Sequence, residues 1–167
     1  GGEDGVSRFL RPSLDGGKDA MSRGVVRAPA SAIDAAIAGA ADEVPNRLER
    51  MQDRRTTVAS RPSGGLELPD GWAPSRPFTV DVLTYKKVWP LATREAVILG
   101  LCATKGDVAV RLGTSVDHPA APDAGRVRLD VRASGYHIRP LGPRETMVTT
   151  VSFVAPGGAP PFIVDRL

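Results

Sequence analysis

Residues 78–103 read FTVDVLTYKKVWPLATREAVILGLCA and contain two segments with the character of β-strands. From Phe78 to Lys87, side chains alternate between two sides in the period-two pattern of a strand. Ala96 to Ala103 is almost continuously apolar, which is typical of a central strand. The stretch therefore predicts two strands joined by a loop around Trp89.

Further strands are predicted on both sides of this stretch. The cleanest alternation runs from Arg126 to Val131, and it predicts an antiparallel strand with one buried face. Gly142-Pro143 predicts the turn between the last two strands. The remaining predicted strands lie at Gly5–Pro12, which we expect at a sheet edge, and at Met21–Ala28, Arg54–Arg61, Asp107–Val116 and Met147–Ala155.

Helical signals occur twice. An alanine-rich segment at residues 29–37 predicts a helix, with Ser31 as its N-cap and Asp34 completing a weak capping box. Pro160 and Pro161 precede an apolar run that ends at Leu167 and predicts the first turns of a second helix. Residues 61–77 are rich in Pro and Gly and predict a loop insertion. The order of elements predicts a single α+β domain over residues 1–167.

Composition excludes several classes of protein. Hydrophobic residues make up 41% and charged residues 25% of 167 residues, which is a globular composition. One cysteine cannot form an internal disulfide, and two histidines with one cysteine predict no zinc site. Basic residues are scattered and only eight aromatics are present, so we expect no nucleic-acid partner.

Catalytic signatures are absent from the sequence. It has no G-x-S-x-G, P-loop, G-x-G-x-x-G, C-x-x-C or H-E-x-x-H motif. Asp117 and His118 are adjacent, but neighbouring strand residues point to opposite faces, so a structural role for His118 is favoured. The same applies to His137. Cys102 lies among apolar residues, so we expect it to be a buried, inert thiol. We therefore predict no catalytic residue, no metal and no cofactor.

Four motifs occur in the order of a known family. The segment VWPLATRE at 88–95 resembles the W-P-x-S-x-R-D signature of START (StAR-related lipid-transfer) domains, with Thr93 one place from the usual Ser and Glu95 for Asp. SVDHP, GYHIRP, and VAPGG with FIVDRL continue the pattern, at 115–119, 135–140 and 154–167. The resemblance covers about residues 20–167. Within the family, the ceramide-transfer branch is the most similar.

The resemblance implies a helix-grip (START/Bet v 1-like) fold, in which a curved antiparallel sheet carries helices on its concave face. Such domains hold one lipid between sheet and helix and perform no chemistry. Burial contributes about 0.8 kcal/mol per CH₂ group, so an acyl chain can be held by burial alone. The family's N-terminal helix and most of its C-terminal helix have no counterpart here, so we expect a partial domain that is less stable than a full one, or dimerises.

Lipid-contacting residues follow from the same resemblance. The acidic residue that grips lipid hydroxyls in the ceramide branch falls on Glu49. Three other polar positions of that branch fall on Leu83, Gly113 and Thr150, of which only Thr150 keeps a hydrogen-bonding group. The buried arginine of the sterol branch falls on Gly100. Val97 and Leu99, in the predicted central strand, complete the predicted lipid-binding set.

Membrane contact is predicted at Trp89, Pro90 and Leu91, because the family places this loop at the pocket mouth and Trp prefers the headgroup layer. We expect a cytoplasmic protein, peripheral to membranes, that binds a phospholipid, sphingolipid or sterol.

Two alternatives stay open. One is a polyketide cyclase- or aromatase-like enzyme of the same fold, whose candidate acid/base residues (Glu49, Asp81, His118, His137) form no evident cluster. The other is a ligand-sensing regulatory module of a larger protein.

Overall fold

The structure, a computed structural model, describes residues 7–12, 18–39, 52–87 and 92–155. One helix, one 3-10 turn at Pro69–Gly71 and ten strands occur in these ranges. Neither helical element of the described ranges is long and apolar enough to span a bilayer. The bounds are β1 Ser7–Pro12, β2 Lys18–Val26, α1 Ala30–Gly39, β3 Gln52–Arg61, β4 Ala73–Pro74, β5 Phe78–Tyr85, β6 Arg94–Lys105, β7 Val108–Ser115, β8 Val127–Arg128, β9 Asp130–Gly142 and β10 Glu145–Ala155.

The strands form one curved sheet in the order β1-β2-β10-β9-β7-β6-β5-β3. Every pair along this path is antiparallel. The two short strands β4 and β8 pair with β6 outside the path. The predicted order, two strands, a helix and then antiparallel strands, is confirmed, and so is the predicted helix-grip class.

The register divides the sheet into two faces, because residues paired across strands point to the same side. Arg111 of β7 pairs with Cys102 of β6 and with Tyr136 of β9. The Arg111 side chain also bonds to Asp34 of α1, so α1 lies on this side. We call it the helix face and the opposite side the outer face.

A hydrophobic core lies on the helix face around the start of β6. Its buried members are Ala96, Leu129 and Val131, and the side chains packed against it are Tyr85, Ile98 and Val154. Val131 and Val154 are paired across β9 and β10, and Ala96 is paired with Leu83 on β5. Residues more than 30 positions apart in the chain therefore share this core, which fixes the register of the central strands.

The predicted cap of the first helix is wrong. The Ala32 and Ile33 N–H groups both donate to the Pro29 carbonyl, at 3.0 and 3.2 Å. The N-cap position is therefore Pro29, and Ser31 lies inside the first turn. Proline suits a helix start because it has no N–H to leave unsatisfied there. Asp34 closes no capping box and bonds to Arg111 instead.

The predicted antiparallel strand at Arg126–Val131 is also corrected. Val127 and Arg128 form β8, which runs parallel to the start of β6, and a separate strand, β9, begins at Asp130. The predicted alternation does hold, since Leu129 and Val131 are buried whereas Arg126 and Asp130 are exposed. Alternation reports which side of a segment is buried, but it does not report the direction of the neighbouring strand.

Most other predicted elements match the structure within two or three residues. β1 lies at the sheet edge as predicted, and the turn at Pro143–Arg144 joins β9 to β10. The predicted loop at 61–77 contains the 3-10 turn and β4, which pairs with Ala103 and Thr104 of β6. The predicted second helix, at 160–167, lies outside the described residues.

Candidate lipid-binding face

Polar side chains of two neighbouring strands meet on the helix face around Asp81. The Asp81 residue is only 3% exposed. One carboxylate oxygen accepts hydrogen bonds from the Arg55 guanidinium at 2.7 Å and from the Thr79 hydroxyl at 3.0 Å. The other accepts from the Thr57 hydroxyl at 2.5 Å. We call these four residues the Asp81 cluster.

The cluster follows from strand pairing. Thr57 of β3 is the direct partner of Asp81 on β5, and Thr79 lies two residues earlier on the same side of β5. Arg55 is paired with Leu83, the next residue of β5 on this face. Buried acids are rare unless they are paired, and here three donors replace the water that burial removes.

The donors keep the Asp81 carboxyl ionised. Burial by itself raises its pKa, but the hydrogen bonds from Arg55 and Thr57, the positive charge of Arg55 and the hydrogen bond from Thr79 outweigh burial. The pKa of Asp81 therefore lies below its ordinary value of 3.8. At neutral pH the helix face carries a fixed negative charge beside the half-exposed guanidinium of Arg55.

A second row of polar groups crosses five strands of the helix face. Cys102, Arg111, Tyr136, Thr150 and Ser22 are successive cross-strand partners from β6 to β2. The hydroxyls of Ser22 and Thr150 are 2.5 Å apart, and the Arg111 guanidinium donates to the Cys102 sulfur at 3.0 Å. Both polar rows therefore face the side of the sheet on which α1 lies.

Between these rows the helix face carries small residues. Thr79, Gly100, Gly113, Ser134 and Ser152 are successive partners from β5 to β10. A Cβ at Gly113 would lie 2.8 Å from the Ile98 side chain, so glycine is needed there for close packing. Because these side chains are small, the middle of this face rises little above the backbone of the sheet. Hydrogen-bonding groups lie on either side of this low middle.

The predicted lipid-binding residues are divided between the two faces. Leu83, Gly113 and Thr150 lie on the helix face with the polar rows. Val97 and Leu99 alternate with Ile98 and therefore point to the outer face, where Val97 is 1% exposed and Leu99 is 37% exposed. Of the described members of the predicted set, only Leu83, Gly113 and Thr150 could therefore line a single cavity on the helix face.

Four of the predicted site residues fall in parts of the chain that the structure leaves undescribed. Glu49 is one of them, and Trp89, Pro90 and Leu91 are the others. The ends of the segment around Trp89 are described, and they place it between β5 and β6. Lys86 and Lys87, just after β5, are both exposed.

The candidate acid/base residues of the enzyme alternative do not meet where they are described. Asp81 lies on the helix face, whereas His137 pairs with Val110 and Thr149 on the outer face. His118 lies in the segment after β7, where its Nδ1 accepts the Ala120 N–H at 3.2 Å. Over the described ranges, no three His, Cys, Asp or Glu side chains converge in a way that could hold a metal ion.

The segment after β7 is fastened to the sheet by a buried acid. The Glu95 side chain is 2% exposed and forms ion pairs with Arg126 at 3.0 Å and Arg128 at 3.1 Å. Next to this clamp is an open depression of about 500 Å³. Its lining is largely charged and includes none of the predicted lipid-binding residues, so it does not match an acyl chain. The lining residues are Asp117, His118, Pro119, Ala121, Asp123, Arg126 and Arg128.

The sequence identifies Asp81 only as a candidate acid/base residue. Its partners Arg55 and Thr57 come from a strand more than 20 positions earlier, so no local motif marks the cluster. One signal was present, because Asp81 interrupts an otherwise apolar strand segment, Val80 to Leu83. A charged residue within a buried strand indicates a partner on a neighbouring strand.

Comparison with known proteins agrees with this architecture. The family model of the START domain matches residues 54–165, which is more than half of the chain. The chain belongs to the START family. Among curated proteins no match was found. The START structures compared below share less than a fifth of its residues, so their likeness shows the fold.

Three of these START structures illustrate the match. Human STARD10 superposes with a TM-score of 0.74 and 19% identity, over 99% of this chain and 63% of that chain. Human StAR-related lipid transfer protein 5 superposes with a TM-score of 0.72 and 19% identity, over 98% of this chain and 74% of that chain. A STAR-related lipid transfer protein fragment from Xanthomonas axonopodis superposes with a TM-score of 0.66 and 14% identity, over 99% of this chain and 86% of that chain. The chain thus spans less than two thirds of the STARD10 chain.

Proposed function

We propose that this START chain binds one lipid against the helix face of its sheet and transfers it between membranes, or senses it, without catalysing a reaction. The observation that carries the proposal is the Asp81 cluster, a buried ionised carboxylate on the side of the sheet where α1 lies. Apolar side chains adjoin it on the same face, among them Leu83 and Ile98. Apolar walls with a few placed polar groups are the usual composition of a lipid pocket.

The hydrogen-bonding capacity of the cluster indicates which part of a lipid it would contact. A carboxylate has about four acceptor positions, and three donors occupy three of them at Asp81. Arg55 uses one nitrogen on Asp81 and is 46% exposed, so its other N–H groups are available. A lipid hydroxyl can donate to the carboxylate and accept from the guanidinium. The acyl or ring portion would then extend along the low middle of the face, toward Gly113 and Thr150.

Contact with a membrane is the second part of the proposal. We assign it to Trp89, Pro90 and Leu91, which join β5 to β6 and follow the exposed Lys86 and Lys87. A tryptophan inserts its ring into the headgroup layer, and lysines beside it are attracted to anionic lipid. We expect the protein to be peripheral to membranes in the cytoplasm. Trp89→Ala should weaken binding to vesicles, whereas Trp72→Ala, which alters the half-buried tryptophan of the 61–77 loop, should not.

Lipid capture and transfer test the central proposal. Lipids extracted from the purified chain are identified by mass spectrometry, and transfer of fluorescent phosphatidylcholine, ceramide and sterol analogues is followed between donor and acceptor vesicles. We expect transfer of at least one class, which also identifies the lipid. Absence of binding for all three classes would refute the proposal.

Substitution of Asp81 tests the site itself. Asp81→Asn should lower transfer at least tenfold, because the amide loses the charge and one acceptor oxygen. Asp130→Asn makes the same chemical change at an exposed position on β9 and should leave transfer unchanged. Thr57→Val removes one hydrogen-bond donor to Asp81 while keeping the side-chain shape. This variant replaces Asp81→Asn in the transfer test if Asp81→Asn fails to fold. Equal transfer by all three variants and the parent would exclude this cluster as the lipid site.

A further inference from the structure

Exposed cations collect on the outer face at the end of the sheet where β6 turns into β7. Lys105 is the last residue of β6 and pairs with Val108. On β9, Ile138 is the partner of Ala109. Arg139, the next residue of β9, therefore lies beside Val108 and in the same row as Lys105. Arg23 of β2 lies one row inward and pairs with Thr149, which pairs with His137. With strands about 4.8 Å apart, neighbouring cations of this group are roughly 10–12 Å from one another.

Two connecting segments extend the group. Arg144 lies in the β9–β10 turn, and Arg27 follows β2; both side chains are exposed. We call Arg23, Arg27, Lys105, Arg139 and Arg144 the basic end of the sheet.

The basic end is poorly neutralised. Among the described residues, two carboxylates lie beside the five cations: Asp107 in the β6–β7 turn and Glu145 at the start of β10. Within the described residues no ion pair involves any of the five, and the side-chain bond recorded for Arg23 runs to the neutral Thr149 hydroxyl. Like charges held this close repel one another, so the basic end favours a partner that supplies negative charge.

Exposed aliphatic side chains accompany the cations. Val25 is 47% exposed and pairs with Met147, which pairs with Arg139. Leu141 is 46% exposed, between Arg139 and Arg144. Nucleic acid is a poor fit, because Phe, Tyr and Trp side chains for stacking are missing from the described residues of these rows. An anionic bilayer fits both features, since phosphates meet the arginines and the aliphatic groups enter the headgroup region.

The basic end is separate from the loop around Trp89. That loop precedes β6 and the basic end begins where β6 finishes, 12 residues later. A strand of this length separates its first residue, Arg94, from its last residue, Lys105, by roughly 36 Å. We propose that the basic end is a second membrane-contact surface, selective for anionic phospholipid, on the opposite end of the sheet from Trp89. The protein then has one lipid-facing surface at each end of its strands.

Vesicle binding separates this surface from general charge attraction. Phosphatidylcholine vesicles with and without about 30% phosphatidylserine are sedimented with the full chain, at low and high salt. Arg139→Gln with Arg144→Gln should reduce the phosphatidylserine-dependent partition about 25-fold, at about fivefold per arginine, and leave binding to pure phosphatidylcholine unchanged. The difference should shrink at high salt.

The matched control is Arg54→Gln with Arg61→Gln, which removes two exposed arginines from the edge strand β3. We expect its partition to stay within a fewfold of the parent. Equal losses in the two double variants would show that net charge alone matters and would overturn the proposal. Partition that does not depend on phosphatidylserine in the parent would overturn it as well.

Discussion

The contact between Arg111 and Asp34 should decide whether α1 stays docked on the sheet. The Arg111 side chain is only 11% exposed. Its Nε donates to the Asp34 carboxylate at 3.0 Å, and a terminal nitrogen is 2.9 Å from the same oxygen and donates to the Asp34 carbonyl at 3.1 Å. A helix of 10 residues is marginal by itself, so its order depends on such contacts with the sheet.

We expect Arg111→Gln to cost about 2 kcal/mol in the free energy of opening α1. Breaking a buried ion pair costs about 3–5 kcal/mol, chiefly because the remaining charge is stranded. Here the Asp34 side chain is 31% exposed and can be hydrated when Arg111 is gone, which reduces the cost. A change of about 2 kcal/mol corresponds to roughly 30-fold more frequent opening, at about 1.4 kcal/mol per factor of ten.

Hydrogen exchange followed by mass spectrometry measures that opening directly. Peptides from residues 30–39 should exchange roughly 30-fold faster in Arg111→Gln, while peptides from β10 should change little. Arg76→Gln is the matched control, because Arg76 is 45% exposed and lies 3.8 Å from the same carboxylate. An exposed pair contributes about 0.2–1 kcal/mol, so exchange should rise less than fivefold. Equal acceleration in both variants, or acceleration spread evenly over the sheet, would refute this account of α1.

Three further changes test the sheet itself. Gly135→Ala should lower the melting temperature by about 6–12 °C, because its Cβ would lie 2.1 Å from the Arg111 carbonyl oxygen and overpacking by a methyl group costs up to about 3 kcal/mol. Gly64→Ala is the control and should leave the melting temperature unchanged, because the space around Gly64 is open. Asp81→Asn should be less stable than the parent at neutral pH. Because the folded-state pKa of Asp81 is lowered, this difference should hold above its ordinary value of 3.8 and be lost as the pH falls through the lowered pKa. A difference that does not begin to shrink as the pH falls below 3.8 would contradict the assignment. Glu95→Gln should speed proteolysis within residues 116–128, because its two arginine partners lose the buried charge that holds them; unchanged cleavage would show that the clamp is dispensable.

Local patterns predict most of the strands and their order along the chain, but they miss β4 and most of β9, of which only Asp130 and Val131 lie in a predicted strand. Period-two alternation and the apolar run at Ala96–Ala103 report burial directly, and turn residues such as Gly142-Pro143 mark where strands end. The resemblance around Trp89 then supplied the arrangement of the sheet, which no single strand contains. The N-cap at Ser31 failed because residue preference does not specify which carbonyl receives the first helical bond, and here that carbonyl belongs to Pro29.

The candidate site was less accessible from sequence, because it depends on which residues of different strands face each other. Alternation shows that neighbours on a strand point to opposite sides, but in a strand as apolar as β6 it does not say which side faces the helix. The sequence therefore predicts Val97 and Leu99 in one set with Thr150, whereas the register places them on the outer face. Asp34 and Arg111 are separated by 77 positions, and only the folded chain brings them together.

The placement of the polar groups argues for a binding role beyond stability. A buried carboxylate with its donors is often no more stabilising than a well-packed apolar group of the same volume. The sheet nevertheless keeps Asp81 with three donors on one side of its low, glycine-containing middle, and Thr150 with Ser22 on the other. Both groups lie on the helix face, whereas the buried acid of the outer face, Glu95, pairs with two arginines of the segment that it fastens. Under the proposed function, a ligand that needs hydrogen bonds at one end and apolar contact along its length would account for the polar groups on the helix face.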